Sequence, residues 1–295
     1  MNASIFTELL LPLAIAVIMF GMGLGLTVQD FERLFKTPRA IFAGLLGQIL
    51  LMPLLAWGIC VAFDLPASLA VGLMILAACP GGTMSNLISQ IAKANLALSV
   101  SLTAISTLIC VFTTPLLIQF AMEHFAGADA VEFSIAKTAF GLCAITLLPV
   151  GIGMLIRRRE ARWAKRSEPK FRRFSLIFML CIIVSLMIKE RELLVNSFGQ
   201  VFFACLALNL LSMLMGLLIA KVFSQSTVNA ITLSIEVGVQ NATLALLIAI
   251  SFLDAPQFAV SAGMYGLAMY VGPLFLLVWG KWFRRDEHAS MAVDA

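Results

Sequence analysis

Ser234-Ile235-Glu236-Val237-Gly238-Val239-Gln240-Asn241-Ala242-Thr243 lies inside an apolar run from about 231 to 252. By length and composition the run reads as a membrane-spanning helix. A charged carboxylate at that depth costs roughly 2.5–3.5 kcal/mol on insertion scales, so a chain keeps one there when it is paired or has a task. Gly238 weakens the helix two residues later. Gln240 and Asn241 bring amides that satisfy freed backbone or line a cavity. The stretch predicts a helix interrupted around an ion site.

The rest of the chain agrees with a membrane setting. Of its 295 residues 61% are hydrophobic and 12% charged, which is the composition of an integral membrane protein. Apolar runs of helical length exclude a β-barrel, whose strands would alternate. The net charge of +4 does not point to nucleic acid, because the basic residues cluster between the apolar runs. The six cysteines stand singly within apolar runs and form no CxxC pair. They predict neither zinc nor a disulfide framework and read as small buried hydrophobes. No basic segment precedes the first apolar run, so no cleaved signal peptide is expected.

Nine spans are expected, over about 6–27, 39–63, 67–91, 96–120, 134–156, 173–189, 197–222, 227–252 and 257–280. Alternate loops are basic: Arg33, Lys36 and Arg39, then Lys93, then the run Arg157 to Arg173, then Lys221, then Lys281, Arg284 and Arg285. The other side carries Asp64, Glu123, Asp129, Glu132 and Asp254, with Lys189 and Arg191 as its basic residues. The positive-inside rule then puts the N-terminus outside and the C-terminus in the cytoplasm of a cell (inner) membrane. The run Arg157 to Arg173 reads as a topogenic loop, with anionic lipid as the alternative task. Gly21-x-x-x-Gly25 fits a close helix contact.

A second interruption is expected in the third span, at Cys79-Pro80-Gly81-Gly82-Thr83-Met84-Ser85-Asn86. Proline alone would kink a helix, but Gly-Gly followed by Thr83, Ser85 and Asn86 argues for an unwound segment that starts a new half-helix. Setting Asn86 on Asn241 superposes the two neighbourhoods, and the spans that carry them run in opposite directions. Paired interruptions in opposed halves mark the binding site of an inverted-repeat transporter. The fourth span adds Asn95, Ser99, Thr103 and Thr107, spaced by four on one stripe. Gln48 is a lone amide in the second span, either interhelical glue or a ligand.

Pro80-Gly81-Gly82-Thr83-x-Ser85-Asn86, Asn95-x-Ala97-Leu98-Ser99-x-x-x-Thr103 and Glu236-Val237-Gly238-x-Gln240-Asn241, in this order, resemble the bile acid:sodium symporter family. The resemblance covers nearly the whole chain and implies an all-α integral membrane protein of about nine transmembrane helices. It further implies inverted repeats, two discontinuous crossing helices, and a core and a panel domain. The chain is similar to the family's nine-span form, beginning at the second span of the ten-span bacterial form. The panel would comprise 6–27 and 134–189, the core 39–120 and 197–280, and a cytoplasmic tail 281–295.

The family binds two sodium ions behind the crossing. Carried over by motif, the first would be held by Ser85, Asn86, Ser99, Thr103 and Glu236. The second would be held by Gln48, Glu236, Gln240 and the backbone carbonyls of Val237 and Val239. Cargo would meet Gly82, Thr83 and Asn241, with Tyr265 and Tyr270 of the last span where some members carry other polar residues. The implied activity is sodium-coupled import of an organic anion by alternating access. A bile-acid-like molecule or a small carboxylate such as pantoate or a keto acid is the implied cargo. No lysine or arginine lies at mid-membrane, so half-helix N-termini would face the anion. The alternative is a proton-coupled or uncoupled anion carrier in which Glu236 titrates. An enzyme is not expected: HExxH and GxSxG are absent, and no His or Asp falls inside a span. No obligatory protein partner is indicated.

Overall fold

The computed structural model describes residues 10–127 and 134–278, and among these the chain is helical with no strand. The expected tail 281–295, Asp129, Glu132 and the start of the first expected span lie outside the described residues. The helices are α1 (Leu11–Gly23), α2 (Val28–Lys36), α3 (Pro38–Ala62), α4 (Ala67–Ala78), α5 (Thr83–Ile91) and α6 (Leu96–Ala126). They continue with α7 (Ile135–Arg159), α8 (Ala161–Lys189), α9 (Arg191–Val222), α10 (Thr227–Gly238), α11 (Ala242–Phe252) and α12 (Pro256–Val278).

Six of these, α3, α6, α7, α8, α9 and α12, are long and apolar enough to cross a membrane. Three shorter apolar helices are α1, α4 and α11. An interruption divides the apolar length of a span, which is why α4 and α11 fall short. Each belongs to a discontinuous pair, α4 with α5 and α10 with α11.

The joints around the two discontinuous pairs match. Asp64, Lys93, Ser224 and Asp254 have φ between 47° and 55° and follow α3, α5, α9 and α11 in turn. Leu65 N–H donates to Cys60 O at 3.0 Å, Ala94 N–H to Ser89 O at 2.9 Å and Gln225 N–H to Ala220 O at 2.8 Å. These long backward bonds satisfy carbonyls that a helix end leaves bare. The second-to-third, third-to-fourth and seventh-to-eighth expected spans are thus joined by the same device, and the eighth-to-ninth by a bond one residue longer, from the Ala255 N–H to Ala249 O at 2.9 Å.

Helix α1 packs on α7 and α8, whereas α9 packs most extensively on α10. Glycines permit the closest approaches. A Cβ on Gly23 would lie 2.2 Å from the Val150 carbonyl oxygen, and one on Gly21 2.3 Å from the Phe171 Cβ. Gly25 lies past the end of α1 and would meet nothing closer than Met22 O at 3.2 Å, so the contact pair is Gly21 and Gly23, not Gly21 and Gly25.

Other expectations need correction. The basic run is not a loop: α7 and α8 meet at Glu160 alone, and residues 161–172 form the first turns of α8. Arginine, lysine and glutamate are good helix formers, and Arg172 pairs with Glu168 one turn away at 3.4 Å. The segment 28–36 after α1 is also helical, with the Asp30 carboxylate accepting from the Thr27 N–H and hydroxyl, each at 2.7 Å. Cys143 and Cys181 are exposed; the other four cysteines are buried.

Gly23→Ala should lower the thermal stability of the purified protein by roughly 1–3 kcal/mol, since backbone rather than a mobile side chain opposes the new methyl. Gly25→Ala should change it little. Unfolding followed in detergent checks the contrast, and equal stability of the two variants would contradict this packing.

Candidate functional site

The two interruptions meet. Gly81 and Gln240 form an antiparallel bridge, and the Asn241 N–H donates to Pro80 O at 3.0 Å. Cys79, Gly82 and Val239 are extended at this point. In an apolar slab an unpaired peptide group costs several kcal/mol, and here each break supplies partners for the other.

Glu236 stands one turn before its break and is 4% exposed. The Ser99 hydroxyl makes a short contact with its Oε1, and the Thr103 hydroxyl lies 2.9 Å from its Oε2. The same two hydroxyls lie 2.8 and 3.4 Å from Asn86 Oδ1. A Cβ on Gly81 would sit 2.9 Å from Glu236 Oε2 and 3.4 Å from Ser85 Oγ, so glycine is what lets the carboxylate reach the break. Each hydroxyl has one hydrogen yet faces two acceptor oxygens. Among the described residues no Lys, Arg or His pairs with Glu236. The cluster has more acceptors than hydrogens, and a small cation or a proton would balance it. Among the described residues no group of three His, Cys, Asp or Glu converges, and an all-oxygen donor set suits a hard cation.

A second polar knot is built from amides. Gln48 lies in a π-helical stretch of α3, Leu46–Leu51, which widens the helix and re-aims its side chain. Gln48 Nε2 donates to Gln240 Oε1 at 2.8 Å and to Cys79 O at 3.0 Å. Gln240 Nε2 donates to Val237 O at 2.7 Å. Val239 is buried in the break between these groups. The fold therefore gathers Ser85, Asn86, Ser99, Thr103 and Glu236 on one side, and Gln48, Gln240 and Val237 beside the bridge.

Gly82, Thr83, Gln240 and Asn241 line a narrow cavity of about 20 Å³ between the breaks, α1 and α8. Its other walls include Met19, Met22 and Met179. Tyr265 is elsewhere. It is fully buried behind the second break, where its hydroxyl donates to Gly238 O at 2.8 Å. Tyr270 is not in the lining, and its hydroxyl is buried without a partner. Two members of the fourth-span stripe also fall away from the oxygen cluster around Glu236. Asn95 caps α6 through the Leu98 N–H at 3.1 Å and bonds Asn229, and Thr107 bonds its own helix at Thr103 O.

Asn209 and Thr114 were not expected. Asn209 Nδ2 donates to Gly238 O at 2.8 Å and Met269 O at 3.2 Å, and its Oδ1 accepts from the Gly272 N–H at 2.9 Å. The Thr114 hydroxyl donates to Ala78 O at 2.6 Å. Asn209 is a lone amide in an apolar run, the same signal that drew attention to Gln48.

Comparison with known proteins places these motifs in context. The profile of the Sodium Bile acid symporter family matches residues 12–197. The uncharacterized sodium-dependent transporter YocS of Bacillus subtilis (strain 168) is 31% identical over 278 residues, covering 94% of this chain and 84% of that protein. The probable sodium/metabolite cotransporter BASS2, chloroplastic, of Oryza sativa subsp. japonica is 30% identical over 272 residues, 92% of this chain and 64% of that one. The ileal sodium/bile acid cotransporter of Oryctolagus cuniculus is 25% identical over 249 residues, 82% of this chain and 69% of that one. The chain thus spans less than two thirds of the length of the rice protein.

Tyr265→Phe removes one of the donors to Gly238 O and leaves Asn209 in place. It should destabilise the protein by about 0.5–1.5 kcal/mol. Asn209→Leu strips partners from two carbonyls and an N–H and should cost about 1–3 kcal/mol or more. Thermal unfolding tests the order, and a larger loss for Tyr265→Phe would reverse the assignment.

Proposed function

The chain belongs to the sodium bile acid symporter family, whose members are transporters and not enzymes, and from that premise we propose that it is a sodium-coupled symporter of an organic anion. The protein is a multi-pass membrane protein. Its proposed place is a cell (inner) membrane, with nine spans, an outer N-terminus and a cytoplasmic C-terminus. The observation that carries the coupling is the surplus of acceptor oxygen around Glu236. The names of the relatives, sodium-dependent transporter and sodium/metabolite cotransporter, support sodium as the balancing cation.

Two sodium sites follow from this reading. Ser85, Asn86, Ser99, Thr103 and Glu236 hold the first. Gln48, Gln240, Glu236 and the Val237 and Val239 carbonyls hold the second, after the Gln48–Gln240 amides turn their oxygens inward. The hydrogen bonds of Glu236 run to the first group, which makes the first site the better formed.

Cargo docks on the opposite face of the bridge, in the cavity lined by Gly82, Thr83 and Asn241. Its carboxylate is met there by the freed N–H groups at the start of α5. Tyr265 supports the break and does not touch cargo. A panel of α1, α7 and α8 and a core of the remaining spans then rock about the fixed site. Inward movement of one net positive charge contributes about 2.3 kcal/mol per 100 mV, so excess sodium over cargo charge drives uptake.

A second reading rests on the same oxygen cluster, because one proton on Glu236 would also balance it. Glu236→Gln separates the two. On the sodium reading the variant inserts and folds but loses sodium-driven uptake and sodium-induced thermal stabilisation together. Native protein that takes up cargo on a pH gradient without sodium would favour the proton, and native-rate, sodium-dependent uptake by Glu236→Gln would refute both.

Thr83→Ala should weaken cargo binding about tenfold, the scale of one charge-assisted hydrogen bond, and leave sodium binding nearly intact. Asn241→Ala should do the same and also lose roughly 1 kcal/mol of stability, because Asn241 Oδ1 caps α11 at the Leu244 N–H, 3.1 Å away. Thermal shift titrations with sodium and with cargo read the two affinities separately. Loss of sodium binding with normal cargo binding would place both residues on the wrong face of the bridge.

A further inference from the structure

The end of α7 and the helical start of α8 carry the basic run. Arg158, Arg159, Arg162, Arg166, Lys170 and Arg173 are exposed to the surroundings. Arg157 and Arg172, which are half-buried, and Lys165, which is exposed, line a cavity of about 200 Å³ together with Glu168, Thr83, Asn86 and Gln90. Positions 165, 168 and 172 share one helical face by their spacing of three and four. Arg172 and Glu168 pair at 3.4 Å and are about a quarter exposed, at 23% and 24%. Among the described residues no carboxylate pairs with Arg157 or Lys165. The cavity therefore carries an excess of two positive charges.

This cavity adjoins the one proposed for cargo, since Met22 and Thr83 line both. A molecule lying across them meets the break at one end, methionine side chains in the middle and a cationic wall at the other. Resting on the cargo site proposed above, we propose that Arg157, Lys165 and Arg172 form an anion subsite for the far end of the cargo. The transported molecule is then an elongated organic dianion with an apolar centre. Guanidinium and ammonium groups recognise a carboxylate, sulfonate or phosphate alike, and the outward basic residues of the same helix remain for lipid headgroups. Glu168 competes with the ligand for Arg172.

The test uses the purified full chain and unbranched dicarboxylic acids of increasing length, each compared with its own monomethyl ester. The ester keeps the length and loses one charge. In sodium, one chain length should show a preference for the diacid over its half-ester of about tenfold, the scale of a few partly screened charge contacts. Added choline chloride should shrink that preference. The combined Arg157→Gln, Lys165→Gln, Arg172→Gln variant should bind diacid and half-ester equally. Arg157→Gln alone, which leaves the Arg172–Glu168 pair intact, should lose part of the preference, and Glu168→Gln should increase it.

Equal binding of diacid and half-ester to the native protein at every length would overturn the subsite, as would a preference that survives the triple substitution. So would binding of neither compound. Half-ester binding that needs sodium and Thr83 reports the cargo site on its own, so that reading can stand while this one falls. Bilayer discs with and without anionic lipid form the last arm. Abolition of the diacid preference by anionic lipid, restored in zwitterionic discs, would assign the cavity to headgroups and overturn the cargo subsite.

Discussion

The antiparallel pairing of Gly81 with Gln240 is the constraint on which the rest depends. A helix interrupted inside a membrane bares peptide groups that lipid cannot satisfy. One break alone would be expensive; two breaks placed side by side satisfy one another. Two short extended segments thereby survive at depth, and helix ends with free N–H and C=O groups become available beside them. Pro80, Gly81 and Gly82 serve this arrangement in different ways. Proline withholds a donor that the helix would otherwise need, and Gly81 leaves room for the Glu236 carboxylate to come within hydrogen-bonding range of the neighbouring break.

Around the bridge the two halves use the same parts. The carbonyls that end α4 receive an amide from the preceding long helix, Gln48 to Cys79 O, and a hydroxyl from the following one, Thr114 to Ala78 O. The carbonyl that ends α10 receives Asn209 and Tyr265 in the same order. The symmetry then fails in an instructive place. Asn209 spends its remaining oxygen on the Gly272 N–H. Gln48 turns to Gln240, another side chain and not main chain. The second half is closed by main-chain bonds, and the first keeps adaptable oxygen beside an acid. The oxygen cluster around Glu236 accordingly draws its side chains from α5 and α6 and not from α9 or α12.

Much of this was legible in the chain. Glu236 in an apolar run, glycine beside it and a Pro-Gly-Gly at the matched place are energetic anomalies in a membrane, and each marks a real interruption. What failed to show was direction. A stripe at spacing four places Asn95, Ser99, Thr103 and Thr107 on one face, yet only the middle two meet the carboxylate. The end residues find a helix cap and a backbone carbonyl closer at hand. Tyr265 was expected at cargo because it stands in the last span where some members of the resembled family carry other polar residues, but its hydroxyl bonds a carbonyl that the break frees. Asn209 went unread although it is as isolated as Gln48. The basic run read as a loop because charge was taken for irregular structure, whereas arginine and lysine propagate a helix well. Such misreadings share a cause: the partner lies in a distant part of the chain, and hydropathy alone does not say which groups a break will leave bare.

The closeness of the two proposed sites bears on how sodium and cargo are linked. Asn86 contacts the hydroxyls around Glu236 and also lines the cavity that reaches Thr83. Gln240 bonds the Val237 carbonyl and lines the cargo cavity. On the proposed reading an ionised Glu236 without a cation presents negative charge to an incoming carboxylate across a single layer of backbone. In a medium of low dielectric that repulsion is large, and a bound cation removes it. Cargo in turn screens the cation's positive field on the other face. The two ligands therefore strengthen each other's binding by the same factor, as linkage requires, and no long conformational path is needed between them. On that same proposed reading what remains for the moving parts is access: α1, α7 and α8 would shift against the bridge, which its own mutual hydrogen bonds hold as the fixed point.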